Sequence, residues 1–232
     1  MRAVYYETHG DAEVLQIGEL NKPACGDDQV LVEVAAAGVN PIDRRLRAGE
    51  LQEYIQRTFP VTPGFDLSGR IVEVGDSVTG WQVGDEIMGL AFTWSIQHGT
   101  YAEFAPVDAG AIAPKPVNAS FEQAAGIPLV SLTAWQSLLE FGQLGPSKTV
   151  LIQAGAGGVG SVAIPMAKHL GATVYTTASA ANTDYVRSLG ADVVIDYQKD
   201  SYEREILEAE PDGVDMVLEA LLGDGTDEAA IR

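Results

Sequence analysis

Short apolar runs, each a few residues long and broken by turn residues, fill the first hundred positions of the chain. Arg2–Tyr6, Glu13–Gly18, Gln29–Val34, Gly69–Gly75, Glu86–Leu90, Tyr101–Val107 and Ala111–Pro114 read as strands. His9-Gly10-Asp11, Asn21-Lys22-Pro23, Gly26-Asp27-Asp28, Gly80 and Gly84-Asp85 punctuate them. Many short strands with regular turns predict a barrel-like β domain. Residues 41–47 read as a loop or a short helix. Near Ser120 the period changes. Phe121–Ala125 and Leu132–Phe141 carry helical spacing, with Pro128 between them and Gly142 as a stop. From Thr149 strand and helix alternate. Strands are expected at Thr149–Ala154, Ala172–Thr177, Asp192–Asp196 and Gly213–Glu219, with helices at Gly158–Leu170, Asn182–Leu189 and Tyr202–Glu208. That order predicts a parallel, doubly wound sheet. The expected organisation is therefore a β domain over residues 1–119 and an α/β domain over residues 120–232. Pro165 breaks the pattern inside its helix, where a kink is expected. His169, at the other end, suits that helix's negative pole.

The strongest local signal lies where the first of these later strands meets its helix. Gly155, Gly157 and Gly160 fill the spacing G-x-G-x-x-G, with Ala156, Gly158 and Val159 between them. The context is strand, tight turn, helix, which is what a dinucleotide pyrophosphate requires. Gly155 is expected to permit the sharp turn, Gly157 to let the backbone approach the pyrophosphate, and Gly160 to let the helix pack closely. Free N–H groups and the helix dipole attract the anion. The competing reading is a glycine-rich turn that binds nothing.

Composition narrows the partners. The 232 residues are 46% hydrophobic, enough for a substantial core. Residues Met1–Tyr6 lack the charged and apolar regions of a secretion signal, and no apolar run approaches the length of a membrane span. Cys25 is the single cysteine, so no disulfide framework is expected and a reducing, cytoplasmic setting fits. The formal net charge is −19, which argues against nucleic acid or an anionic membrane as partner. Lysine is confined to Lys22, Lys115, Lys148, Lys168 and Lys199. Dispersed acid with scarce lysine suits either a protein adapted to high salt or an ordinary acidic enzyme. One cysteine and three histidines in distant segments (His9, His98, His169) are a poor ligand set for zinc.

Several further stretches resemble the medium-chain dehydrogenase/reductase family, in its zinc-independent quinone oxidoreductase branch. They are residues 37–43 (AGVNPID), 63–69 (PGFDLSG), 72–78 (VEVGDSV), 83–85 (VGD), 99–103 (GTYAE), 132–135 (LTAW), the glycine motif, and 189–197 (LGADVVIDY). The resemblance implies a GroES-like β domain followed by a Rossmann domain, with the active site in the cleft between them. Zinc-dependent relatives place a Cys and a Gly-His-Glu motif where this chain has Asn40 and Gly64-Phe65-Asp66, so both ligands are absent.

The cofactor can be weighed from the end of the second strand of the α/β domain. NAD-binding folds place an acid there for the ribose 2′-OH. Here the strand ends at residues 175–180 (YTTASA), without one; the nearest, Asp184, lies in the next helix. A carboxylate would repel a 2′-phosphate, so its absence favours NADPH over NADH. The family holds that phosphate with a Ser, a Lys and a Tyr. Ser179 and Tyr197 match, while Ala180-Ala181-Asn182 replaces the Lys and loses a charge-assisted contact.

The implied reaction is hydride transfer from NADPH to a quinone or an activated C=C bond, as in an enone or enoyl substrate. By resemblance Asn40 and Thr133 line the nicotinamide pocket, with Asp43 nearby. Asn40 also suits a turn before Pro41, and Asp43 a helix cap. Tyr54 is a candidate proton donor, or else a wall residue. Phe65, Trp94 and Tyr54 could form an apolar cleft for the acceptor.

The family's Rossmann sheet runs 3-2-1-4-5-6, and the expected strands reach only the fourth. Strand four would then be an exposed edge, followed by a polar tail over residues 221–232. Dimerisation through a sixth strand would be unavailable, leaving other surfaces for a homo-oligomer. A second chain could supply the missing part. The alternative function is a non-catalytic nucleotide-binding or interaction protein of this family. A halophilic origin predicts a melting temperature that climbs with molar KCl; a flat or falling series leaves the chain an ordinary acidic protein.

Overall fold

A computed structural model describes residues 1–198 and 202–220. The chain divides into two compact units, Met1–Leu129 and Val130–Arg232. In the first unit the strands are β1 (Arg2–Tyr5), β2 (Gln16–Glu19), β3 (Gln29–Ala37), β4 (Gln56–Thr62), β5 (Asp66–Val74), β6 (Glu86–Leu90), β7 (Ser95–His98), β8 (Phe104–Asp108) and β9 (Ile112–Pro114). A five-stranded antiparallel sheet has the order β8-β3-β5-β6-β9, and β1-β2 and β4-β7 form two-stranded ladders. Val30, Val32, Leu67, Ile71, Ile87 and Val107 fill the core of the larger sheet. A second cluster, around Tyr6, Leu46, Val61 and Phe65, sits beneath helix α1 (Pro41–Ala48).

The short helix was the better of the two expectations for residues 41–47. Pro at its first position has no N–H to leave unpaired, and Gly49 ends it at φ 86°. Strands β4 and β7 are absent from the sequence expectation. Their residues, QRTFPVT and SIQH, do not alternate cleanly, so pairing rather than pattern makes them strands. Residues Glu13–Gly18 are not one strand either: Ala12–Val14 forms a single 3₁₀ turn before β2.

The division between units falls after Leu129 rather than after residue 119. Helix α2 (Phe121–Ala125) belongs to the first unit because Ser68 Oγ donates to Phe121 O, and Asp66 Oδ1 accepts from Leu129 N at 2.9 Å. Pro128 is not a spacer between helices. It is the first residue of α3 (Pro128–Trp135), which passes into a wider π-type segment at Gln136–Phe141 and stops at Gly142.

The second unit is a four-stranded parallel sheet of β10 (Thr149–Ile152), β11 (Thr173–Ala178), β12 (Val193–Asp196) and β13 (Met216–Leu218). Its order, β12-β11-β10-β13, is the 3-2-1-4 half of a Rossmann sheet. Helices α4 (Gly158–His169), α5 (Thr183–Ser188) and α6 (Tyr202–Ala209) follow β10, β11 and β12. Both sheet faces are covered, as parallel strands require. Val150, Ile152 and Val174 meet Ala163, Ile164 and Ala167 of α4; Leu151, Tyr175 and Ile195 meet Ile206 of α6. Among the described residues β13 pairs only with β10. The tail at 221–232 lies outside the described residues.

Helix α4 continues through Pro165 to His169. Pro165 is exposed, so little packing depends on its ring, while its missing N–H leaves the carbonyl of Ser161 without a helical donor. Pro165→Ala is expected to raise unfolding stability by about 1–3 kcal/mol, read from urea denaturation curves; an unchanged midpoint would show that the helix has absorbed the proline at no cost.

Candidate functional site

The turn after β10 is built differently from the expectation that Gly155 carries it. The left-handed residue is Ala154, at φ 52°, where a side chain costs about 1–2 kcal/mol. Two bonds to β11 hold it there: Ala154 N donates to Thr177 Oγ1 at 3.0 Å, and Gly155 N to Thr177 O at 3.0 Å. Gly155 is needed for space. A Cβ there would strike the Thr176 hydroxyl, which is occupied in donating to Ile152 O at 2.7 Å. Gly160 serves as expected: its Cβ would lie 2.5 Å from Ala154 O and 2.6 Å from Gly155 Cα, so the helix could not lie this close with any side chain.

Gly157 is the N-cap of α4, at φ −79° and ψ 177°, a conformation open to any residue. Its Cβ would meet only Ala154, the carbonyl oxygen at 3.1 Å. Its missing side chain therefore keeps the mouth of the loop open rather than relieving backbone strain. Helix geometry leaves the N–H groups of Gly158, Val159 and Gly160 without intrahelical acceptors. No acid lies in that first turn, so the positive end of the helix dipole is uncompensated there.

Gly157, the N-cap of that helix, borders a cavity of about 550 Å³. Of the residues singled out from sequence, Ala156, Gly157, Ser179 and Tyr197 line it; Gly155, Gly158, Val159 and Gly160 do not, and shape the loop behind. Sequence reasoning missed Gln153, Ala154, Thr177, Ala178, Asn182 and Tyr202. Ala154, Thr177, Ala178 and Asn182 flank recognised motif residues, so proximity could have found them; Tyr202 is brought in only by the packing of α6. Asn182 Nδ2 donates to Ser179 Oγ at 3.3 Å. Gln153 Nε2 donates to Tyr202 OH at 3.2 Å, while Gln153 Oε1 is buried without a partner among the described residues. Among the described residues no carboxylate and no basic side chain lines the cavity. Lys168 and His169 lie at the opposite end of α4, where Lys168 pairs with Asp192 at 2.7 Å.

The first unit holds the remaining candidates. Asn40, weighed as a turn residue, is the N-cap of α1, and Asp43, weighed as the cap, is its capping-box partner at the third helical position; Asn40 N donates to Asp43 Oδ2 at 2.8 Å. Tyr101 OH donates to the same oxygen at 2.8 Å, and Asn40 Nδ2 donates to Asp66 Oδ2 at 2.9 Å. Burial pushes the carboxyls of Asp43 and Asp66 up, Asp66 to about 6, with the neighbouring charge of Asp43 adding to the rise at Asp66. Burial, then the bond to Asp43, raises Tyr101. Tyr54 is 72% exposed in the turn before β4. Thr133 is half-buried on α3, in the second unit. The expected Phe65–Trp94–Tyr54 cleft is not formed as such. Phe65 is 2% exposed and belongs to the core, whereas Trp94 is 70% exposed and packs edge-on against Phe92. Phe65 lies beneath Phe92 and cannot wall a cleft itself.

A β domain of this topology, followed by a parallel sheet whose first loop presents a glycine-lined helix N-terminus, defines a dinucleotide-binding oxidoreductase fold. Residues 26–117 match the alcohol dehydrogenase GroES-like domain, and residues 158–230 match a domain described as zinc-binding dehydrogenase. The chain is 38% identical to an alcohol dehydrogenase superfamily protein of Novosphingobium aromaticivorans, with a TM-score of 0.88 over 99% of this chain and 68% of that one. The Escherichia coli quinone oxidoreductase solved with NADPH is 28% identical, with a TM-score of 0.86 over 100% and 69%. A chloroplastic NADPH-dependent alkenal/one oxidoreductase of Arabidopsis thaliana is 38% identical over 228 residues, which is 95% of this chain and 57% of that protein. The chain belongs to the medium-chain dehydrogenase/reductase superfamily. It spans less than two thirds of the length of the curated relatives it matches.

The buried acid gives a signed pH effect. An unfolded aspartate titrates near 4, and Asp66 in the fold near 6. Between those values the folded chain binds more protons than the unfolded one, so this group's contribution to stability falls as pH rises from about 4 to about 6. Relative to Asp66→Asn, the native chain should gain about 2–3 kcal/mol between pH 7 and pH 4. Paired urea titrations at both pH values measure it; a gap that stays constant would mean that burial does not penalise the charge.

Proposed function

We propose that the chain binds NADPH in the cavity of its second unit and serves hydride transfer to a quinone or an activated C=C acceptor, without zinc. The observation that carries this is the join of two features in one cavity: the uncompensated N-terminus of α4 beside Gly157, and the Ser179–Asn182 pair at the end of β11, with no carboxylate among the described lining residues. The fit is steric as well as electrostatic. Gly157 leaves the loop open where a phosphate would lie, and Gln153 Oε1 at the cavity wall, unpaired among the described residues, leaves an acceptor in need of a donor. Two relatives support the same reading: an NADPH-dependent alkenal/one oxidoreductase, and a quinone oxidoreductase solved with NADPH.

In this reading the N–H groups of Gly158, Val159 and Gly160 bind the pyrophosphate, while Gly157 N stays with Ala154 O at 2.8 Å. Ser179, Asn182 and Tyr197 bind the 2′-phosphate by neutral hydrogen bonds, weaker than the Lys-assisted contact that the family uses. NADPH supplies the hydride when bound. Asn40 supports the nicotinamide end, and Thr133 contributes from α3. Tyr54, being exposed, is reachable from solvent as a proton donor, and quinone reduction takes its proton from water without it. Zinc independence rests on Asn40 and Phe65, which stand where zinc-dependent relatives carry the Cys and the His of Gly-His-Glu, and Asn40 spends its Nδ2 on Asp66 at 2.9 Å. A reducing, cytoplasmic setting completes the proposal.

Gly157→Val separates ligand from fold. Its backbone angles tolerate a side chain, so the melting temperature should stay nearly constant while calorimetric NADPH affinity falls at least ~100-fold, about 2.7 kcal/mol. Binding that survives the substitution would move the phosphate elsewhere. A panel of quinones, enones and enoyl thioesters then identifies the acceptor; NADPH binding without turnover on any of them favours the non-catalytic alternative.

A further inference from the structure

Asp66 is 1% exposed in β5, yet two separate segments fasten to it, through three hydrogen bonds. Its Oδ2 accepts from Asn40 Nδ2 and its Oδ1 from Leu129 N, each at 2.9 Å; its carbonyl accepts from Gly38 N at 3.0 Å. Gly38 leaves no slack, for a Cβ there would lie 2.8 Å from Asp66 Cβ and 2.5 Å from Ala125 O. Leu129 is the second residue of α3, and Pro128 before it has no N–H. Asp66 therefore takes the first N–H that the helix offers, at the positive end of its dipole.

We infer that Asp66 is a positioning residue whose ionised carboxylate clamps the Asn40 carboxamide and the first turn of α3 into one arrangement. The chemistry of the partners requires the charge. Asn40 Nδ2 and Leu129 N are both donors, so a proton on Asp66 finds no acceptor between them and displaces one of the two bonds. Keeping a buried charge costs stability, and a neutral residue of the same shape would avoid that cost. The charge is repaid only in position. The clamp therefore fixes Asn40, a residue assigned to the cofactor. That consequence rests on the proposed function; the clamp itself does not.

The ionisable groups facing this network are Asp43 and Arg47 on α1, Tyr101, Tyr6 beside Asp43, and Arg57, which lines the same small cavity as Asp43. Helix α2 contributes only the exposed Glu122, and α3 none. Glu33 on β3 is exposed, and Glu86 on β6 is engaged with Arg70 and Lys115. His98, whose imidazole burial pushes down, lies on β7 and serves as a control.

Amide NMR of the cofactor-free chain between pH 5 and pH 8 tests the clamp. The side-chain NH₂ of Asn40 and the backbone N–H of Leu129 should shift together with one midpoint near pH 6. His98→Gln should keep that shared titration and Asp66→Asn should abolish it. Signals that titrate apart, or not at all, overturn the clamp whatever the activity. In the loaded chain, turnover should fall about tenfold from pH 8 to pH 5, because about a tenth of the clamp stays ionised one unit below its midpoint. A chain that neither binds nor oxidises NADPH sinks the cofactor reading and leaves the NMR result as the sole judge of the clamp.

Discussion

The approach of helix α4 to the sheet is the constraint on which the second unit depends. The helix can lie against β10 and β11 only because Gly155 and Gly160 have no side chains. That approach lets Ala163, Ile164 and Ala167 reach Val150, Ile152 and Val174. It also aims the start of the helix at the cavity beside Ser179. Core packing and anion binding share one cause here. A side chain at either glycine would pry the helix from the sheet and turn its N–H groups away from the ligand.

The first unit carries a different tension. Apolar side chains fill two clusters, and between them lies a polar network of Asn40, Asp43, Asp66 and Tyr101. Buried carboxylates are costly unless hydrogen-bonded, and each acid here accepts two hydrogen bonds. Even so, burial dominates and both carboxyls sit above their ordinary range. A fold that needed these residues only for stability would gain by replacing them with neutral ones. The loss is consistent with a network kept for the geometry it imposes on Asn40 and on the start of α3.

The elements that were legible were those whose residues report their own surroundings. The parallel sheet showed in its apolar runs and in the helical spacing between them, because strands covered on both faces must be apolar throughout. The glycine spacing located the phosphate loop, although its parts were misassigned. Gly155 was given the turn, while the left-handed residue is Ala154. A sequence marks where glycine stands, not whether it is there for φ or for space. Strands β4 and β7 were illegible because mixed polar and apolar residues can pair wherever a neighbouring edge is available. Phe65 looked like a cleft residue because aromatic character is visible in a sequence and depth is not.

Residues alone settled the family, the two-part organisation and the strand order 3-2-1-4, since each follows from motif order and from period. They also marked Ser179 and Tyr197 for the cavity and showed that no acid ends the second strand of the sheet. Tertiary structure decided which residues meet. It brought Tyr202 and Gln153 to the cavity wall, buried Phe65, left Tyr54 in solvent, and set Asp66 between Asn40 and Leu129, residues 26 and 63 positions away. Periodicity is local and survives in one dimension. The company of a buried carboxylate depends on contacts across the chain, and those exist only once the strands have paired and the helices have closed over them.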